Sequence, residues 1–469
     1  MNKKTTRSRA LLSLVVILTT GTALCVAPVF AAGSSGAADS SVPSPAEAPA
    51  ETSAETSAET SAIAPDWWQR FDDPLMVDLI AEALQANPDM RSAQASLRAV
   101  RAQGAIAGAS LKPELSGSSS AARNDDRSSY GAGLSAGWEL DIFGGNRASA
   151  RAAEEDVQAT TANLQDVQIS LAAEVATSYI NLRRAQALAD ILQRNLAAQR
   201  ETAELIEARY QVGLDSELEL NQSRLSLGQL LAQMPEQERS VSQSMHALAI
   251  LSGEAPEALN ARLQLPAGVP YTAEPLIGAD QDIAADLVRR RPDLRAAEHN
   301  VTAAGFRRDA AEAARYPSFR LGGGLNFSSL DAAGLFDSAS MARSLLGSLS
   351  VPLFNGGRLK QQVTVRDAQY DQAVNSYQKT LLAALAEVAD AFVTLESSER
   401  RIPQLTENLN LARSTQELAF SRYQVGAVNF QTVLDAQRQV LSAEQNLLQV
   451  RAENSLAAIG LYRALGGSW

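Results

Sequence analysis

Arg209-Tyr210-Gln211-Val212-Gly213 is spelled again, 213 residues later, at Arg422-Tyr423-Gln424-Val425-Gly426. Working outward, Phe143-Gly144-Gly145-Asn146-Arg147 answers Phe354-Asn355-Gly356-Gly357-Arg358 at an offset of 211, and Asn87-Pro88-Asp89-Met90-Arg91 answers Arg291-Pro292-Asp293-Leu294-Arg295 at 204. The motifs keep one order and the offset changes only between them, so insertions sit in the connections. A supersecondary unit written twice predicts one architecture with internal pseudo-symmetry.

The texture between motifs sets the elements. Repeat one covers 66–265. Pro74 to about Leu111 is helical, with a break and restart at Asn87-Pro88-Asp89, where both polar residues can cap. The stretch 114–142 turns Ser- and Gly-rich, and Tyr130, Ala132, Leu134, Ala136, Trp138 and Leu140 alternate, as a β-hairpin around the polar loop Arg123–Arg127 requires. From 147 to 211, Leu164, Val167, Leu171, Val175, Ser178 and Leu182 keep steps of three and four, a coiled-coil seam. Those 65 residues span roughly 100 Å as a helix. A return helix follows over 216–252, in which Pro235 should cause a kink or an interruption. Repeat two covers 266–469 with the same order: a helix over 283–315, strands 319–327 and 345–354, a long helix 358–424 and a return helix 430–465.

Composition narrows the function. The 469 residues carry a net charge of −12, with 41 basic and 53 acidic side chains. Four of the basic residues (Lys3, Lys4, Arg7 and Arg9) lie in the stretch 1–31, which reads as a signal peptide: a basic start, an apolar run from Ala10 to Leu18, then small residues up to Ala31. Removing it leaves 37 basic and 53 acidic residues, a charge of −16, which disfavours nucleic acid as a partner. Cys25 is the only cysteine and offers a rival, lipidation at that residue, although Leu24 and Thr22 reverse the usual lipobox order. The stretch 32–65, with Glu-Thr-Ser-Ala three times over, is low in complexity and reads as a disordered spacer. Trp67, Trp68 and Phe71 close it. No later run reaches the ~20 apolar residues of a membrane helix.

The chain supplies about four strands, too few for a closed barrel, since single-chain barrels start at about eight. Strands that enter lipid must close, because unpaired backbone groups there cost several kcal/mol each. Long Ala-rich helices likewise need neighbours on more than one side. The alternating strand positions must therefore sit in a soluble sandwich or be completed by other copies of the chain. Together the two features point to a ring of identical subunits, whose number neither sets.

Trp67-Trp68 with Phe71 and Asp73-Pro74-Leu75, the two Pro-Asp openers, Asp141-Ile142-Phe143-Gly144-Gly145, Pro352-Leu353-Phe354-Asn355-Gly356-Gly357 and the paired Tyr-x-Val-Gly turns together resemble the TolC/OprM/NodT outer-membrane efflux family. The resemblance covers about Pro65 to Trp469 and lies nearer the NodT and OprM type than TolC itself. It implies a fold that is mainly α with a small β part. Three copies would form an α-barrel in the periplasm joined to a twelve-stranded β-barrel in outer-membrane lipid. It also implies a periplasmic adaptor and an inner-membrane pump of the RND class as partners, with no cofactor and no enzymatic activity. A duct for type I protein secretion and a periplasmic coiled-coil protein without a pore are the alternatives.

The resemblance also assigns residues. Tyr210, Gly213, Leu214, Tyr423, Gly426 and Ala427 would lie at tips that meet the adaptor, although helix capping explains the glycines equally. Asp435 matches an acidic position at the family's periplasmic aperture, where three copies would form a like-charge ring; the plain alternative is a solvated helix carboxylate. Thr432 stands where some members carry a second Asp. Trp138, Phe143, Phe319, Phe327 and Phe354 are candidates for membrane-interface aromatics or for ordinary packing. His246 and His299 are isolated, and no catalytic or metal constellation can be assembled around them.

Overall fold

A computed structural model describes residues 67–124, 127–264, 268–270 and 290–467. The signal peptide, Cys25, the spacer, Asp125, Asp126 and 283–289 lie outside the described residues.

The element order follows the repeat. Repeat one runs α1 (Pro74–Ala86), α2 (Pro88–Ala109), β1 (Glu114–Asn124), β2 (Arg127–Leu140), α3 (Gly145–Gln211), α4 (Glu217–Leu251) and a single turn, α5 (Asn260–Leu263). Repeat two runs α6 (Pro292–Ala313), β3 (Ser318–Ser329), β4 (Met341–Ser350), α7 (Arg358–Gln424) and α8 (Phe430–Ala464). Asn87 ends α1 and starts α2 at once: its Oδ1 accepts from the Asp89 N–H at 2.7 Å, and its Nδ2 donates to the Leu251 carbonyl at 2.8 Å. Gly144 and Gly357, both with positive φ, launch the two long helices.

Three expectations need correction. The last strand ends at Ser350 rather than 354; Pro352 has no N–H for a ladder. The first hairpin pairs through Asn124 and Arg127, so Arg123 and Arg127 belong to strands and not to a polar loop. Pro235 sits inside an uninterrupted α4, as Pro403 does in α7, so of the kink or interruption expected there the interruption does not occur. Both prolines face outward, so the carbonyl each one frees remains open to water, while buried neighbours such as Gln237, bonded to the Ala185 carbonyl at 2.8 Å, hold the opposite side of the helix.

The helices form a layer. α3 and α7, 67 residues each, run its full length. Towards the strands the order is α2, α3, α6, α7; towards the far end it is α4, α3, α8, α7. Bridges mark the two levels: Arg307–Asp156 and His299–Glu155 between α6 and α3, then Arg184–Gln449 and Gln437–Thr202 between α3 and α8. The largest core lies at mid-height, where Trp67, Trp68 and Phe71 pack with α1, the middle of α3 and the ends of α4 and α8. Trp67 stacks on Tyr462 with centroids 5.0 Å apart.

β1 to β4 make one antiparallel sheet in sequence order. Its register sorts side chains by chemistry. One face carries Leu115, Leu134, Trp138, Leu325, Leu345 and Leu349, the other mostly Ser, Gly and Ala with Glu139, Arg320 and Asn326. Among the described residues Leu346 is the sole large apolar side chain on that polar face. On the apolar face Tyr130 and Trp138 stand eight residues apart on β2, and Phe319 and Phe327 do so on β3. Eight residues cover about 27 Å of strand. Phe143 lies outside these rows, stacked on Tyr316 at 4.9 Å, and Phe354 lies past β4, almost wholly exposed.

Candidate docking tip and gate

At the end remote from the sheet, each long helix turns back through its Tyr-x-Val-Gly motif. Gly213 has φ +77° and Gly426 +72°, a left-handed conformation that favours glycine. The Leu214 N–H returns to the Arg209 carbonyl at 2.9 Å and the Ala427 N–H to the Arg422 carbonyl at 2.8 Å, the six-residue closure of a Schellman cap. Ser216 then starts α4 with a reciprocal capping box to Glu219, and Asn429 starts α8. The capping chemistry is therefore real in both copies.

The two tyrosines, equivalent in sequence, are placed differently. Tyr423 is 3% exposed and Tyr210 39%. The Tyr423 hydroxyl donates to Asp215 Oδ2 at 2.6 Å, and Arg209 Nε donates to the same oxygen at 3.0 Å while its guanidinium lies 5.0 Å from the Tyr423 ring centre. Phe430 closes the ring's other side at 5.6 Å, and Ile206, Leu220, Val433 and Leu434 complete a small core. Burial, followed by the bond to Asp215, holds the Tyr423 phenol well above its ordinary value. The bond to Asp215 likewise raises the Arg209 pKa. A buried aspartate from hairpin one thus clamps a tyrosine from hairpin two. Sequence reading missed Asp215 and Arg209; the available signal was that repeat two carries Val428 where repeat one carries Asp215.

Around this clamp the tip is apolar and open: Val212, Leu214 and Val425 are each about two-thirds exposed or more. Asp435 lies on the exposed side of α8, where its Oδ1 accepts from Gln431 Nε2 at 2.9 Å and stands 3.7 Å from Arg438. Thr432 spends its hydroxyl on the Asn429 cap at 2.8 Å. Within one protomer Asp435 and the Tyr423 clamp occupy the same end of the molecule but do not touch. His246 and His299 fall on different helices, α4 and α6.

Residues 79–254 and 284–467 match the family model described as outer membrane efflux protein. The chain is 34% identical over 420 residues to the solvent efflux pump outer membrane protein SrpC of Pseudomonas putida, covering 85% of this chain and 86% of the relative. It is 30% identical over 420 residues to the pyoverdine export outer membrane protein OpmQ of Pseudomonas aeruginosa, covering 86% and 87%. Among solved structures, the outer-membrane channel OprN superposes with a TM-score of 0.81 at 32% identity over 87% of this chain and 94% of that one. VceC of Vibrio cholerae gives 0.78 at 27% identity over 86% and 98%.

Proposed function

The chain belongs to the outer membrane efflux protein family, and from that premise we propose that three copies close into a single exit duct. It is an efflux protein of the outer membrane, as its relatives are. The observation that carries the trimeric duct is that sheet and helix layer stand open on the same two flanks. β1 and β4 are unpaired edges, and the helices beneath them bear exposed apolar side chains: Ile106 on α2 and Leu218, Leu225 and Leu231 on α4 on one side, Val365, Leu382, Val393, Leu411 and Leu418 on α7 on the other. α7 buries 7 residues where α3, of equal length, buries 21. Three four-stranded sheets give the twelve strands that the resemblance implies. The apolar face then meets lipid, and the Ser/Gly/Ala face lines a wide pore in which few side chains obstruct passage.

In that assembly the tips converge on the axis. The Asp215–Tyr423–Arg209 clamp holds hairpin two against hairpin one and favours the shut form, and Asp435 rings the aperture. The exposed Val212, Leu214 and Val425 form the surface offered to a periplasmic adaptor, which links the duct to an inner-membrane pump. The named relatives are a solvent efflux and a pyoverdine export protein, which favours small molecules over secreted proteins as cargo. The test is native mass spectrometry with planar-bilayer recording of the purified protein. A trimer that conducts supports the duct; a folded, non-conducting monomer ends it. Deletion of the gene should sensitise cells to solvents and leave protein secretion intact.

A further inference from the structure

On the apolar, outward face of the sheet two charged residues break the pattern. Arg123 is the second-last residue of β1 and shares its face with Leu115 and Ala121; Arg343 is the third residue of β4 and lies directly opposite Leu325. Both stand at the end of the sheet away from the helices, and both are exposed. Among the described residues neither makes an ion pair, whereas Arg320 on the polar face is paired with Glu139 at 3.1 Å. The nearby loop carboxylate Asp331 accepts the Gly334 N–H at 2.7 Å and does not turn to Arg343.

An arginine facing lipid is costly at mid-bilayer and nearly free at the interface, falling from about 2–4 to about 0–1 kcal/mol. Two residues in from its strand's end, Arg343 lies within about 7 Å of the rim, a reach its side chain can cover by snorkelling. A guanidinium there, with no carboxylate partner among the described residues, is matched to an anion in the membrane itself that accepts two parallel N–H bonds, as a phosphate does. The two arginines sit on the two edge strands. In the closed ring proposed above, β4 of one copy adjoins β1 of the next, so Arg343 and Arg123 would flank each subunit seam near its outer rim.

We infer that Arg123 and Arg343 form a binding site for the phosphate groups of an outer-leaflet glycolipid, one at each seam. The pairing across the seam rests on the trimeric reading; the outward, phosphate-seeking position of each arginine rests on the register alone. The lipid would then cement the junction that lacks a covalent loop.

Purified full-length wild type, R123Q/R343Q, R123K/R343K and R320Q are mixed in detergent with bisphosphorylated lipid A or with lipid A stripped of its phosphates, and retained lipid is counted by native mass spectrometry. Wild type should keep the phosphorylated form about tenfold better than the stripped one, as a pair of charge-assisted contacts allows. R320Q should match it, R123K/R343K should keep part of the preference, and R123Q/R343Q should lose it. Equal retention of both lipids by wild type, or an undiminished preference in R123Q/R343Q, overturns the site. Conductance of the same samples separates the two readings. A wild type that prefers phosphate but does not conduct sinks the duct and leaves the lipid site standing.

Discussion

Tyr423 and Tyr210 hold the same place in two copies of one motif, yet only Tyr423 has an aspartate to bind. Tyr423→Phe should leave the buried Asp215 with one donor fewer, a loss of about 1–3 kcal/mol at the tip. Faster amide exchange at 206–220 and 423–434 and more frequent openings in bilayer recordings are the expected readouts; unchanged exchange would sink the clamp. The pH dependence has a definite sign. A phenol whose folded pKa lies above the ordinary 10.0 contributes stability that is complete below that value and is lost as pH rises through the higher folded one. The clamp therefore persists from about pH 7 to about pH 9, and gating over that range should not change on account of Tyr423. Asp435→Asn tests the aperture. A carboxylate is worth on the order of 1 kcal/mol to a cation 4 Å away in water, so removing one per subunit should weaken the channel's preference for cations severalfold, read as a shift in reversal potential.

At the scale of elements, the turns carry the strain and the helices do not. Nothing lies within 4 Å of a Cβ added at Gly213 or Gly426, so alanine there meets only the left-handed backbone penalty, about 1–2 kcal/mol. At Gly253, also of positive φ (+76°), the new Cβ would stand 2.7 Å from the Ala86 carbonyl oxygen. Gly253→Ala should therefore lower the thermal midpoint more than Gly213→Ala, because the new Cβ collides with the backbone at the end of α1. Equal midpoints would argue against the tight packing of this turn on α1. The prolines make the opposite point: Pro235 and Pro403 each remove one helical bond, and neither breaks its helix, since packing along the rest of each helix exceeds that single loss.

For the whole molecule the decisive feature is what a single chain leaves uncovered. Leu411 and Leu418 on α7 are mostly exposed in the protomer, so Leu411→Asp with Leu418→Asp should spare its helical circular dichroism. It should shift the native mass from trimer to monomer, as each buried leucine lost from a seam removes about 1.5–3 kcal/mol. An undisturbed trimer would place α7's flank away from the subunit contact.

The repeat, the long helices, the strand texture and the glycine turns were all legible in the chain, because each follows from local periodicity and backbone preference within a few residues. The paired motifs also sufficed to suggest the family. What local pattern cannot carry is which of two equivalent residues faces inward. Tyr423 is buried against Asp215, 208 positions away, and Arg343 shares the apolar face only because the register of β3 on β4 sets it opposite Leu325. The sequence determined the elements and their duplication, since those depend on neighbours along the backbone. The tertiary structure decided the clamp, the two faces of the sheet and the uncovered flanks, since those depend on how segments remote in sequence align side by side.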